Sequence, residues 1–246
     1  IDGTPLDNGS NPLTNISSYT SVGVFNITAV FLGNLNYTSD TQTFWLNVTD
    51  SIDPVIQWAN ATPQNQVYGQ NITLYANVTD NVAVDEVFIY FNGGNNSMTP
   101  LGGGLYSYEL NTTTDTSGAG FYNFMVYAND TSNNWALRSV NNFTVTPATS
   151  IISLYLNGTQ DNITITTADT INISAQLNKP QNGQVNLYIG GTLSGTGAGI
   201  VENISTWPVG YYNVTAIFSG NTNYSATSAI YWLNITDAEQ PIINSH

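Results

Sequence analysis

Cysteine is absent from this 246-residue chain. No disulfide can brace the fold, and thiolate nucleophiles and Cys-based zinc sites are excluded. Basic residues are nearly absent too: Arg138 and Lys179 stand against 16 Asp and Glu, for a formal net charge of −14. Phosphate backbones and anionic bilayers are bound by clusters of Lys and Arg, so neither nucleic acid nor an anionic membrane surface suits this chain as a partner. Charged residues of both signs make up only 7%, against about 25% in an ordinary soluble domain. Something other than ionised side chains must keep the surface hydrated. The single histidine, His246, is the last residue, which leaves no Ser-His-Asp arrangement inside a domain. No run of 18 apolar residues occurs, so no transmembrane segment is expected. Ile1 opens no signal-peptide pattern, as in a mature product or an excerpt of a longer chain.

What the chain has in excess is the tripeptide Asn-x-Ser/Thr, the acceptor for N-glycosylation and a mark of surface positions in exported proteins. Nineteen sites occur: Asn8, Asn15, Asn26, Asn36, Asn47, Asn60, Asn71, Asn77, Asn95, Asn111, Asn129, Asn142, Asn157, Asn162, Asn172, Asn203, Asn213, Asn223 and Asn234. With 34 Asn and 52 Ser plus Thr, random placement would give about 7. In eleven of them the middle residue is Ile, Val or Phe. On a strand, residues i and i+2 share a face and i+1 points the other way. Asn and Thr would then face water while the apolar residue enters a core. The plainer reading, Asn and Thr as neutral polar residues of β-surfaces, stands beside it. In seven sites an aromatic lies two residues before the Asn, as in Tyr211/Asn213, Trp232/Asn234 and Trp45/Asn47. A strand would set that ring beside the sugar.

Internal repetition organises the chain. Residues 22–50 align without a gap with residues 209–237 at an offset of 187, and Asn26, Asn36 and Asn47 recur as Asn213, Asn223 and Asn234. The expected organisation is the C-terminal half of one unit at 1–51, a different unit at 52–147, a complete copy of the first type at 148–238, and a linker or start of a next unit at 239–246. Strands are expected near 150–156, 162–166, 170–177, 184–190, 199–204, 210–218 and 229–235 in the complete copy, and near 54–58, 71–78, 86–91, 105–110, 121–128 and 140–146 in the middle unit. Short apolar-alternating runs between turn dipeptides such as Asn157-Gly158 and Asn182-Gly183 point to β-sandwiches. Half a sandwich at 1–51 would leave an apolar face and strand edges open, either because the chain is an excerpt or because another subunit supplies strands.

The run Gly210 to Tyr224, and Gly23 to Tyr37 with Phe25 in place of a Tyr, resembles the signature G-x-Y-x-V-x-A-x-Y-x-G-x-x-x-Y of tandem Ig-like repeat domains in bacteria and archaea. The middle unit, through Val78-Thr79-Asp80-Asn81 and Tyr127 to Asn134, is similar to Ig-like or fibronectin-like domains of archaeal surface proteins. The resemblance implies an all-β fold of tandem Ig-like β-sandwich domains, the first one incomplete in this chain. It implies an extracellular or cell-surface location and a structural role in a filament or S-layer, with copies of itself as partners. Adhesin stalks are the other role such domains serve, and fold does not choose between them.

Candidates for chemistry are few. Asp85, Glu86 and Glu109 are the candidates for a pair of hydrolytic carboxylates in one unit, but Asp85 falls at a turn and Glu86 opens a strand, so no catalytic residue and no enzyme activity is expected. No organic cofactor is expected. Calcium needs only oxygen ligands, and Asp80, Asp85 and Asp130, with Asn81 and Asn133, fall in loops that could meet at one end of the middle unit. Ordinary turn-forming Asp and Asn remain the alternative. Trp135 and Trp207 lack an obvious acceptor-site partner and are the residues left for an adhesin's sugar pocket.

Overall fold

The computed structural model describes residues 1–5, 8–9 and 12–238, with the side chains of 137–139 left aside. The expected linker 239–246, and His246 with it, lies outside the described residues. Nineteen strands and no helix form the regular structure of those residues. Two compact units divide the chain: residues 1–61, 73–108 and 123–142 in one, residues 62–72, 109–122 and 143–246 in the other.

The first segment carries one hairpin, β1 (Gly23–Phe31) and β2 (Asp40–Val48), paired antiparallel. Next come β3 (Val55–Thr62), β4 (Asn65–Val67), β5 (Asn71–Thr79), β6 (Val84–Phe91), β7 (Gly94–Ser97), β8 (Thr99–Gly102), β9 (Leu105–Asn111), β10 (Gly120–Asp130) and β11 (Trp135–Thr146). They form sheets of order β4-β11-β10-β6-β7 and β3-β5-β9-β8. The last stretch holds β12 (Ile151–Leu156), β13 (Ile163–Thr166), β14 (Ile171–Lys179), β15 (Gln184–Ile189), β16 (Thr192–Ala198), β17 (Ile200–Ser205), β18 (Gly210–Phe218) and β19 (Thr227–Thr236). Their sheets run β12-β14-β17 and β13-β19-β18-β15-β16. Both sandwiches share one irregularity: β4 pairs parallel with β11, and β13 pairs parallel with β19, among otherwise antiparallel partners.

Every expected run became a strand, but four strands were missed. β4, β7, β8 and β16 are short edge or near-edge pieces such as Gly94-Asn-Asn-Ser97 and Thr192-Leu-Ser-Gly-Thr-Gly-Ala198. Their Gly, Asn, Ser and Thr read as turns, and only a partner strand holds them extended. β11 also begins five residues earlier than the expected 140, at Trp135.

Burial follows the two-residue period. In β14, Ile171, Ile173, Ala175 and Leu177 are buried while Asn172, Gln176 and Asn178 are exposed. With Leu154, Leu156, Val185, Leu187, Val214, Ala216, Phe218, Leu233 and Ile235 they form one core between the two C-terminal sheets. Each large side chain fully buried there contributes about 1.5–3 kcal/mol. At the entry to β18 the Tyr212 hydroxyl donates to the Pro208 carbonyl (3.1 Å), and at the entry to β10 the Tyr122 hydroxyl donates to the Gly118 carbonyl (2.6 Å). At β18 the corner explains the glycine that opens the strand: a Cβ on Gly210 would stand 3.0 Å from the Tyr212 ring, whereas one on Gly120 would meet Tyr122 at an ordinary 3.7 Å.

The hairpin β1–β2 has the residues of β18–β19 without their cover. Val214 and Phe218 are 0% and 3% exposed, whereas their repeat partners Ile27 and Phe31 are 40% and 46% exposed. The tip of the hairpin is nevertheless preformed. Asn34 Oδ1 accepts from the N–H groups of Asn36 and Tyr37, both at 2.9 Å, as Asn221 Oδ1 does from Asn223 and Tyr224. The local turn is therefore written in the repeat itself, while burial of the apolar face needs a second sheet.

Candidate functional site

Thirteen of the nineteen acceptor Asn lie on strands, and Asn8, Asn15, Asn36, Asn157, Asn162 and Asn223 lie in loops. Twelve are exposed and six, Asn26, Asn77, Asn203, Asn213, Asn223 and Asn234, are half-buried. The predicted alternation holds where two sheets face each other. Ile72, Val78, Phe143, Ile173, Val214 and Ile235, each the middle residue of an acceptor tripeptide, are buried. It fails at Asn203. In β17 the sequence enters one register off, so Val201 is buried, Ile204 is exposed, and Asn203 turns inward. There its Oδ1 accepts from the Ser205 hydroxyl (2.5 Å), which in turn accepts from Trp207 Nε1 (2.8 Å).

Asn129 departs furthest from the expectation of surface Asn: it is buried. A register shift between Asn129 and Asp130 interrupts the pairing of β10 with β6, so Ala128, Asn129 and Asp130 are buried in succession. Asn129 Nδ2, the atom that would carry a sugar, donates to Asp85 Oδ2 at 3.2 Å. Its tripeptide has Asp in the middle, so it lacked the apolar residue that elsewhere turns the Asn outward.

The acidic candidates gather differently from the expectation. Asp80 and Asp130 come together, but the third carboxylate is Asp50, just beyond β2, and their ligand atoms lie within 4.8 Å of one another. Asp85 is engaged with Asn129 instead. Asn81 Nδ2 reaches the Asp50 carboxylate at 3.1 and 3.2 Å. Asn134, not Asn133, serves Asp130: its N–H and Nδ2 donate to the carboxylate at 2.8 and 2.7 Å, and the Ser132 N–H adds a third bond at 2.9 Å. Asn133 accepts from Trp135 Nε1 at 3.2 Å. Burial pushes the Asp130 carboxyl upward, but the hydrogen bonds from Asn134 and Ser132 together outweigh it and hold its pKa below the ordinary value. Asp50 was missed because it belongs to the preceding repeat. The available signal was its alignment with Asp237, at the same place before the next Pro-Ile run.

Three carboxylates this close repel one another without a cation between them. Two oxygens on one calcium ion stand at most about 4.6–5.2 Å apart, and no pair of these ligand atoms exceeds 4.8 Å. Asp80 Oδ2 accepts from the N–H groups of Val82 (2.7 Å) and Ala83 (3.0 Å), while Asp80 Oδ1 is buried with no partner. A buried unpaired carboxylate oxygen is costly, and a cation would satisfy it. The donor set, all oxygen, fits calcium.

The remaining carboxylates serve local bonds. Ser97 Oγ donates to Glu86 at 2.6 Å, and Asn71 Nδ2 donates to Glu109. An open groove of about 530 Å³ beside Asp85 and Glu86 is lined also by Val84, Met98, Pro100 and Tyr106. Desolvation there raises the Tyr106 hydroxyl's pKa. The two adhesin candidates separate: Trp207 packs against the C-terminal core and Tyr212, whereas Trp135 is exposed and stacks on Phe88 with ring centroids 6.2 Å apart.

Two facing sheets, the parallel pairing of β4 with β11 and a tyrosine corner give the middle of the chain the form of an Ig-like sandwich. Residues 54–138 match the bacterial Ig domain. With a second sandwich of the same topology after that match and a hairpin that repeats part of it before, the chain is made of Ig-like β-sandwich domains in tandem, the first one incomplete. No curated protein matches it. Among solved structures it is similar to the fibronectin(III)-like modules of Clostridium thermocellum CbhA, at 16% identity over 78% of this chain and 99% of that one, TM-score 0.31. It is also similar to titin domains Z1Z2 solved with telethonin, at 12% identity over 78% of this chain and 100% of that one, TM-score 0.47. A third is the Ca²⁺-stabilised, ice-binding adhesin of an Antarctic bacterium, at 13% identity over 87% of this chain and 56% of that one, TM-score 0.34. Among the described residues no helix is long and apolar enough to cross a membrane.

Proposed function

We propose that this chain is a structural, heavily N-glycosylated cell-surface protein, without catalytic activity, whose tandem Ig-like domains form part of an archaeal extracellular filament or surface layer made of further copies of it. The observation that carries this reading is the placement of the acceptor sites: 18 of the 19 Asn keep access to solvent while six of the apolar residues between Asn and Ser/Thr sit in the cores. A surface with so few charges needs another source of hydration, and sugar at these positions supplies it while shielding edge strands. In the modification, catalysed by a separate transferase, the amide Nδ2 attacks the anomeric carbon of a phosphate-linked saccharide. The C–N bond forms, the C–O bond to phosphate breaks, a base takes the amide proton, and the carrier phosphate departs.

The open face of β1–β2 suits assembly by strand complementation, in which strands of the β12 and β14 type from another polypeptide cover Ile27 and Phe31. Asp50, Asp80 and Asp130 would hold calcium, which would tie the residue after β2 to the ends of β5 and β10. Glycopeptide mapping of the native protein, with imaging of its native assembly, tests the reading. Sugar on most acceptor sites within an ordered filament or lattice is expected; a bare, monomeric chain would end it. The alternative is an adhesin or carbohydrate-binding stalk of Ig-like spacers, for which exposed Trp135 is the observation in favour. Glycan-array binding that disappears with Trp135→Ala would select it.

A further inference from the structure

On the outer face of the C-terminal domain two acceptor sites share one aromatic surface. β18 and β19 run antiparallel with Tyr211 opposite Asn234 and Asn213 opposite Trp232. Their chain neighbours Val214, Leu233 and Ile235 are buried in the core and Tyr212 packs against it, so these four point outward. They make a square, the aromatics on one diagonal and the acceptor Asn on the other. The rings are stacked, with centroids 4.8 Å apart and planes 6° from parallel. Tyr211 remains 65% exposed and Trp232 39% exposed. The result is a solvent-facing apolar ridge with an acceptor amide on each flank, rather than one ring beside each Asn.

We propose that this ridge seats the two glycans borne by Asn213 and Asn234, the first sugar of each lying with its C–H face against the stacked Tyr211–Trp232 pair. The proposal rests on the reading that these sites are glycosylated. The apolar surface of a sugar ring is its C–H face, and laying it on an exposed aromatic removes apolar area from water on both sides. A sugar anchored beside the ridge loses little freedom on docking, whereas a free saccharide must surrender its translation and rotation. The chain's own glycans are therefore the favoured occupants. The amide geometry permits it: Asn234 Nδ2 donates to Thr164 Oγ1 at 3.4 Å, and a glycosylated amide keeps one N–H for that bond. The arrangement recurs in the first repeat, where Asn26 stands opposite Trp45 and Val24 opposite Asn47. With Val24 in place of the tyrosine, Trp45 has no stacking partner at that corner and is 70% exposed. One indole then serves both sites.

The test takes the glycosylated chain and first maps the peptides carrying Asn213 and Asn234. If both are bare, this inference falls together with the glycoprotein reading. If both are occupied, nuclear Overhauser contacts between the Trp232 indole and sugar protons are expected, and enzymatic removal of the glycans should lower the Tm of the C-terminal domain by about 4–8 °C, the shift that a contact worth one aromatic pair gives in a domain of this size. In a Tyr211→Ser/Trp232→Ser variant the same removal should change Tm by less than a quarter of that. An equal loss in both proteins, or no indole-to-sugar contact in the occupied wild type, overturns the shared seat and leaves the glycan coat standing. A free saccharide bound equally well by wild type and by an Asn213→Gln/Asn234→Gln variant also overturns it, making the ridge a site for foreign sugar.

Discussion

Truncating the same phenylalanine in the two repeats should have very unequal consequences. Phe218 is 3% exposed and closes the C-terminal core beside Leu177. The packing around it is tight: a Cβ placed on Gly183 would stand 2.5 Å from its ring and 2.6 Å from Leu177. Phe218→Ala therefore loses the transfer term and leaves a cavity, for a cost of about 3–5 kcal/mol. That is a large part of the 5–15 kcal/mol available to a domain of this kind. At about 1.4 kcal/mol per decade, amide exchange across β18 and β19 should accelerate by roughly 10²–10³·⁵-fold in hydrogen-exchange mass spectrometry. Phe31, at the equivalent position of the uncovered hairpin, is 46% exposed, and Phe31→Ala removes a half-buried ring, about 1 kcal/mol or less. Exchange in β1 and β2 should then change by less than about tenfold. Measuring peptides separately avoids assigning one unfolding free energy to a multidomain chain. If Phe31→Ala accelerates its own strands as much as Phe218→Ala does, the hairpin face is covered in solution and the reasoning from exposure is refuted.

Further outcomes follow from the sites. Calcium should raise the melting temperature of the wild type in differential scanning calorimetry and leave Asp80→Asn unmoved; magnesium acting as well as calcium, or neither acting, would remove the ion from the cluster. Glycopeptide mapping should find Asn60 and Asn172 occupied and Asn129 bare, because Asn129 Nδ2 is buried against Asp85; full occupancy of Asn129 would show that β10 closes only after modification. The hydroxyl and then the N–H of Thr166 hold the Asp169 carboxyl below its ordinary pKa, against a smaller opposing effect of desolvation. A carboxyl depressed by folding stabilises above its unfolded pKa, and that contribution is lost as pH falls through the folded value. The difference in Tm between wild type and Asp169→Asn should thus be present at pH 7 and shrink as pH falls through and below the usual carboxylate range; a difference independent of pH would contradict the bond.

Much of the fold was legible because strand burial is a local alternation. Asn172-Ile173-Ser174 and Asn213-Val214-Thr215 state which face is wet, and the structure agrees at both. The edge strands β7 and β16 were not legible, since extended Gly, Asn and Ser differ from a turn only by having a neighbour to pair with. The acidic cluster was half legible. Asp80 and Asp130 were found by loop position, but Asp85 was drawn to Asn129, and Asp50 entered from a different repeat.

The sequence by itself determined the all-β class, the repeat at an offset of 187 residues, the outward bias of the acceptor sites and the lack of cysteine and of any histidine but His246, because each of these is a property of residue type and spacing. Only the tertiary structure decided that Asn129 is buried by a register shift, that Asn203 turns inward, that Asp50 completes a cluster with Asp80 and Asp130, and that Tyr211 and Trp232 stack between two acceptor Asn. Those facts depend on which strand lies beside which, and in what register. Pairing between distant segments sets both, and no local pattern encodes it.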